Sequence, residues 1–256
     1  MNPTALILRA AGTNCDLEAA WAFERAGAMA KSIHINRILE STTLLNDCQI
    51  LVFPGGFSYG DDIAAGKILA NQIVHHLGDA LRDFIAAGKP VIGICNGFQV
   101  LVKTDLLPGP IAGKTGQTAT LTNNDSGRFI DRWVHLCPVP GKCIWTTDLQ
   151  PLDLPIAHGE GKFVPADDAV RRALHYDRRI ALVYEGENPN GSVDAIAGVC
   201  DSTGLVFGLM PHPERYVDPQ QHYAWSSQNP LPEEGRGLQI FRNAVNHVKQ
   251  TLGAGI

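Results

Sequence analysis

No run of lysine and arginine interrupts this sequence, and its 21 basic residues are outnumbered by 26 acidic ones, for a formal charge of −5. A surface with that balance cannot neutralise a row of phosphates, which excludes nucleic acid as the main partner. No apolar run approaches the roughly 18 residues needed to cross a membrane. Met1-Asn2-Pro3-Thr4 leads into an apolar strand without the basic stretch and cleavage pattern of a secretory signal, and the expected compartment is the cytoplasm. There is no internal repeat and no linker, so residues 1–256 are expected to form one domain.

Metal and nucleotide signatures are missing too. The six cysteines, at 15, 48, 95, 137, 143 and 200, are scattered through a chain too large to need staples, and reduced thiols are expected. Cys137 and Cys143, with His135 nearby, do not have zinc spacing. His75 and Asp79, one turn apart on an expected helix, suit a solvated or capping role better than ligation. No metal is expected. Gly109 to Thr115 imitates a phosphate loop but has three residues between its glycines where four are required, and β-branched residues follow it.

What remains is a core-forming chain, 45% apolar, with 26 glycines, above the average share of about 7%. Ala5–Arg9, Met29–Ile35, Ile50–Phe53 and Val91–Ile94 read as strands. An amphipathic stretch from an Asn14-Cys15-Asp16 cap to about Gly27, a long helical pattern from about Ile63 to Ala87 and a helix from Cys95 to about Leu101 alternate with them. Alternation of this kind predicts a doubly wound α/β fold with a mostly parallel sheet and helices on both faces. Thr115–Thr122 and Phe129–Leu136 read as antiparallel additions to that sheet. Ile180–Tyr184, Asp194–Val199 and Leu205–Met210 are later strands, and Arg236 to about Leu252 is a closing helix. Residues 217–235, with three prolines and no periodicity, form a long loop suited to a lid or an interaction surface.

Three segments can carry chemistry. Gly93-Ile94-Cys95-Asn96-Gly97 lies between a buried strand and a helix, the setting of a nucleophile elbow, where flanking glycines permit a sharp turn and the helix start favours a thiolate. Pro54-Gly55-Gly56 ends another buried strand, so the Gly56 and Asn96 amides can form a two-donor oxyanion hole. In Pro211-His212-Pro213-Glu214 two prolines hold the chain extended and the carboxylate can orient the imidazole, which completes a Cys95/His212/Glu214 relay. His158, in Ala157-His158-Gly159-Glu160-Gly161, is the rival base. Its flanking glycines suggest a flexible or backbone-presenting loop and substrate contact.

These segments together resemble class I glutamine amidotransferases. More narrowly, Gly55-Gly56-Phe57-Ser58-Tyr59-Gly60-Asp61, Asn96-Gly97-Phe98, Ala157 to Gly161, Met210 to Arg215 and the opening Gly12-Thr13-Asn14-Cys15-Asp16 are similar to the glutaminase subunits of phosphoribosylformylglycinamidine synthases. The resemblance implies that Cys95 attacks the glutamine side-chain amide, His212 protonates the departing ammonia and activates water, and Glu214 positions His212. It also implies that Gln99 holds the amino-acid end of the substrate, with Gly55 and the backbone around His158 and Gly159 in contact with it, and that Cys15 is a structural neighbour. No cofactor is implied in this chain. ATP and magnesium belong to a partner synthetase subunit that amidates formylglycinamide ribonucleotide, sometimes with a small bridging subunit. The 217–235 loop is longer than the compact subunit requires and is similar to the glutaminase portion of long single-chain enzymes. The alternatives are an amidotransferase subunit for another acceptor, a thiol sensor or quality-control protein of the same elbow-bearing fold, and a cysteine peptidase. The His212/Glu214 pair argues against a sensor.

Overall fold

The computed structural model describes residues 2–251. Its strands are β1 (Thr4–Arg9), β2 (Met29–His34), β3 (Ile50–Phe53), β4 (Val91–Ile94), β5 (Ala119–Thr122), β6 (Ile130–Pro138), β7 (Leu152–His158), β8 (Lys162–Pro165), β9 (Ile180–Tyr184), β10 (Ile196–Cys200) and β11 (Val206–Leu209). Its helices are α1 (Asp16–Arg25), α2 (Ile35–Glu40), α3 (Lys67–His76), α4 (Gly78–Ala86), α5 (Asn96–Lys103), α6 (Asp168–Tyr176) and α7 (Leu238–Thr251). Leu252, the expected end of the last helix, lies outside the described residues.

Nine strands form one sheet in the order β2-β1-β3-β4-β11-β10-β9-β6-β7. The first five run parallel and the remaining four join antiparallel. Every residue of β3, β4 and β11 is buried, as continuous apolar runs covered on both faces must be. Helices α1 and α7 pack on each other through Phe23 and Phe241, whose rings meet edge to face at 5.0 Å. Helix α5 packs along β3, β4 and β11 with α3 beside it. Its Phe98 stacks on Phe163 of β8 at 6.1 Å, which fastens the small β5/β8 ribbon to the elbow helix.

Several expectations change. The helical pattern from Ile63 to Ala87 is two helices: Leu77 leaves helical geometry (φ −125°, ψ −2°) and Gly78 starts the second, so that Ile73, Leu77, Leu81 and Phe84 all reach the core. His75 and Asp79 are therefore on different helices, and Asp79 pairs with Arg82 at 2.6 Å. No side chain caps α1; Asp16 binds Arg9 at 2.7 Å instead. The strand expected from Thr115 pairs with β8 in its own ribbon and is not appended to the main sheet. The His158 segment is not a loop: His158 closes β7, whose burial alternates regularly but which carries Pro155, a residue that argues against a strand. Residues 217–235 contain two single-turn 3₁₀ helices, and their start is fastened to β6 by a cluster of Trp133, Tyr216, His222 and Tyr223.

Candidate active site

Register places the site. Phe53 of β3 lies beside Gly93 of β4, and Ile94 lies beside Leu209 of β11, so three adjacent parallel strands finish at one edge. The residues that follow them are Gly55-Gly56, Cys95 and His212. Ligands in open α/β sheets sit outside such carboxyl ends.

Cys95 occupies φ 52°, ψ −105°, a left-handed conformation that costs a non-glycine residue about 1–3 kcal/mol and persists only where the surroundings impose it. The surroundings are visible. A Cβ on Gly97 would lie 1.9 Å from the Phe53 carbonyl oxygen, and one on Gly93 would lie 2.6 Å from that of Gly97, so neither position admits a side chain. The Cys95 N–H donates to the Leu209 carbonyl at 2.8 Å, and its nearly buried Sγ points toward the Ala157 carbonyl at 3.7 Å. Asn96 opens α5, so its amide has no intrahelical acceptor.

His212 Nδ1 donates to Glu214 Oε1 at 2.6 Å, and both side chains are buried. Nε2 of His212 is buried without a hydrogen-bond partner, which leaves that nitrogen free for a reacting group. Burial opposes protonation of the ring, but Glu214 and the sulfurs of Cys95 and Cys15 outweigh it and hold the imidazole well above its usual range. His158 is the opposite case. Its Nδ1 is bound to Asn124 Oδ1 at 3.1 Å, and burial, then the neighbouring His212, push its pKa down to about 4. With no carboxylate partner its ring is a far weaker base than that of His212, so it does not compete as the relay base.

A cavity of about 210 Å³ opens beside these groups, lined by Gly56, Cys95, Gln99, His158, Gly159, Asp61, Glu160 and Phe129 among others. A cleft of about 420 Å³ between Asp148 and Arg242 contains no thiol or imidazole, so volume alone points away from the chemistry. Of the expected contacts, Gly55 does not line the cavity. It is packed between His212 and Cys15, where a Cβ would lie 2.9 Å from the imidazole. Gln99 faces the cavity but is braced within the protein: Nε2 donates to the Glu160 carbonyl at 2.7 Å and Oε1 accepts from Asn96 Nδ2 at 3.0 Å.

Two contributions were given no role from the sequence, and a third, Cys15, was expected only as a structural neighbour. Asp61 and Glu160 put two carboxylates on the cavity wall, and Asp61 also accepts from Asn96 Nδ2 at 3.1 Å. Asn124 orients His158, a pairing across 34 residues that no local pattern announces. Cys15 is tied into the relay: Arg215 Nη2 donates to its Sγ at 3.2 Å, and the Asn14 and Cys15 amides both donate to the Gly55 carbonyl at 3.3 and 3.2 Å. Those two bonds fix the plane of the Gly55–Gly56 peptide.

Residues 2–248 match the CobB/CobQ-like glutamine amidotransferase domain. The chain is similar to phosphoribosylformylglycinamidine synthase subunit PurQ of Dehalococcoides mccartyi, with 46% identity over 252 residues, covering 96% of this chain and 97% of that one. The same subunit of Treponema denticola is 46% identical over 272 residues, covering 97% and 100%. Among solved structures, that of PurLQS from Thermotoga maritima superposes with a TM-score of 0.76 at 32% identity, covering 97% of this chain and 100% of that one. A glutamine amidotransferase from the same organism, at 15% identity and a TM-score of 0.54, shares the fold.

Proposed function

The chain belongs to the CobB/CobQ-like glutamine amidotransferase family, and from that premise we propose that it is the glutaminase subunit of a phosphoribosylformylglycinamidine synthase. One observation carries the chemistry: Gly56, Cys95 and His212 follow three adjacent parallel strands, beside one cavity of amino-acid size.

The Cys95 thiol gives its proton to His212 Nε2 and its sulfur adds to the glutamine carboxamide carbon. The oxyanion that forms is held by the Gly56 and Asn96 amides, each worth about 10²- to 10³-fold in rate. As the C–N bond breaks, His212 passes a proton from Nε2 to the departing nitrogen, and ammonia leaves a thioester on Cys95. Water then enters, His212 takes its proton, and collapse of the second tetrahedral intermediate releases glutamate and the thiol. Base catalysis of this type contributes about 10²- to 10⁴-fold. Glu214 keeps Nδ1 protonated, which leaves Nε2 for both transfers. Asp61 and Glu160 suit the substrate ammonium group, with the remaining Gln99 N–H and the backbone around Gly159 for its carboxylate.

Ammonia released into neutral water becomes ammonium and is no longer a nucleophile, so the product must pass directly to a synthetase. The relatives matched nearly end to end are named as subunits, and the superposed Thermotoga maritima structure is that of PurLQS. Both support the reading of a glutaminase that works with a synthetase. The partner synthetase is assigned the ATP and magnesium, and the formylglycinamide ribonucleotide acceptor. No described helix is long and apolar enough to cross a membrane; a purine-pathway ligase subunit belongs in the cytoplasm.

The test combines this chain with the synthetase, formylglycinamide ribonucleotide, ATP and either glutamine or an ammonium salt. The expected result is amidation from both donors with the native chain, and from ammonium alone with Cys95→Ala. Loss of both activities in the variant would assign Cys95 a structural role.

A further inference from the structure

On the far part of the sheet, three potential ligand atoms meet across strands that are distant in sequence. His135 and Cys137 alternate on β6 and therefore project from one face, and Glu185 follows β9, its N–H bound to the His135 carbonyl at 3.0 Å. Glu185 Oε2 lies 3.2 Å from His135 Nε2 and 3.0 Å from Cys137 Sγ, and the three atoms lie within 4.8 Å of one another. Nitrogen, oxygen and sulfur around a tetrahedral zinc ion stand roughly 3.3–3.6 Å apart, given bond lengths of about 2.0–2.3 Å.

Asp153, opposite His135 on β7, accepts from the other ring nitrogen, Nδ1, at 2.6 Å. That contact orients the ring with Nε2 facing Glu185, and a carboxylate behind a ligating histidine is the usual supporting contact of a zinc site. Two carboxylates thus converge on one imidazole and one thiol. Nearby His222 Nε2 is 3.7 Å from Asp153 Oδ2, beyond hydrogen-bond distance.

We propose that His135, Cys137 and Glu185 bind one borderline-soft divalent transition-metal ion, of which zinc is the best match, with water in the fourth position. The donor set excludes magnesium and calcium, which take oxygen ligands. Binding replaces the Cys137 S–H bond with a metal–thiolate bond, and the proton passes to solvent. None of the three ligands lines the glutamine cavity, so the site is separate from the proposed catalysis. Zinc spacing did not announce it because its rule looks for ligands near one another in sequence, whereas β6 and β9 bring residues 137 and 185 together through the sheet.

The full chain, stripped with a chelator and dialysed, is titrated with cobalt(II). The expected result is a near-ultraviolet thiolate-to-cobalt charge-transfer band that saturates at one ion per chain and is displaced by zinc(II). Cys137→Ser abolishes the band with an unchanged far-ultraviolet circular dichroism spectrum, Asp153→Asn weakens affinity about 10- to 100-fold, and Cys95→Ser leaves band and stoichiometry intact. A native chain without the band, a band that survives Cys137→Ser, or one that disappears with Cys95→Ser would each overturn the assignment.

Discussion

The parallel and antiparallel halves of the sheet serve the site differently. The parallel strands β3, β4 and β11 end in short, sterically forced turns that place the thiol, the amides and the imidazole. The antiparallel part contributes a wall: the end of β7 and the segment after it bring Ala157, His158, Gly159 and Glu160 against the cavity. On the proposed mechanism, the bond-making residues sit where the backbone has least freedom, and the added strands supply the wall at Ala157–Glu160 that Asp61 and Gln99 of the parallel half complete. Damage to the first half is therefore expected to appear in turnover, and damage to the second in substrate affinity or local stability.

The largest expected effect is that of Cys95→Ala, which lowers glutamine-dependent turnover by about 10⁴-fold or more in the complex with the synthetase, measured as glutamate release. Next is His212→Asn, with kcat down about 10²- to 10⁴-fold and KM within a few-fold of native. If KM rose as steeply as kcat fell, the division between the two halves would fail on its chemical side.

The wall has a signature in acid. Folded His158 titrates near 4 against about 6.5 when unfolded, so the unfolded chain binds more protons between those values. Its contribution is complete above pH 6.5 and is lost as pH falls toward 4, by about 3 kcal/mol. Urea unfolding of the native chain and of His158→Asn across this range measures the difference, and the variant should show a shallower acid slope. Equal slopes would mean that His158 does not carry the burial cost assigned to it. The smallest effect is that of Glu160→Ala, which should raise KM for glutamine about 10- to 100-fold with a lesser change in kcat, as loss of a hydrogen bond to a charged group would.

The same contrast governs what could be read before the fold was known. The elbow, the Gly55-Gly56 turn and the His212/Glu214 pair are local, because a strained turn or a rigid extended segment needs particular residues within a few positions. β3, β4 and β9 have the boundaries expected from their apolar runs. The wall depends on pairings such as Ile130 with His158 and Asn124 with His158, which follow from strand order and leave no periodic trace. Likewise, Gly55 invited a substrate-binding reading, while its position between His212 and Cys15 shows why nothing larger fits there.

Modification by a diazo-ketone analogue of glutamine tests the central claim most directly. Peptide mass spectrometry should find one adduct per chain on Cys95, prevented by excess glutamine, with Cys15 unmodified although it too lies beside His212. An adduct on Cys15, or inactivation that leaves Cys95 free, would contradict the account.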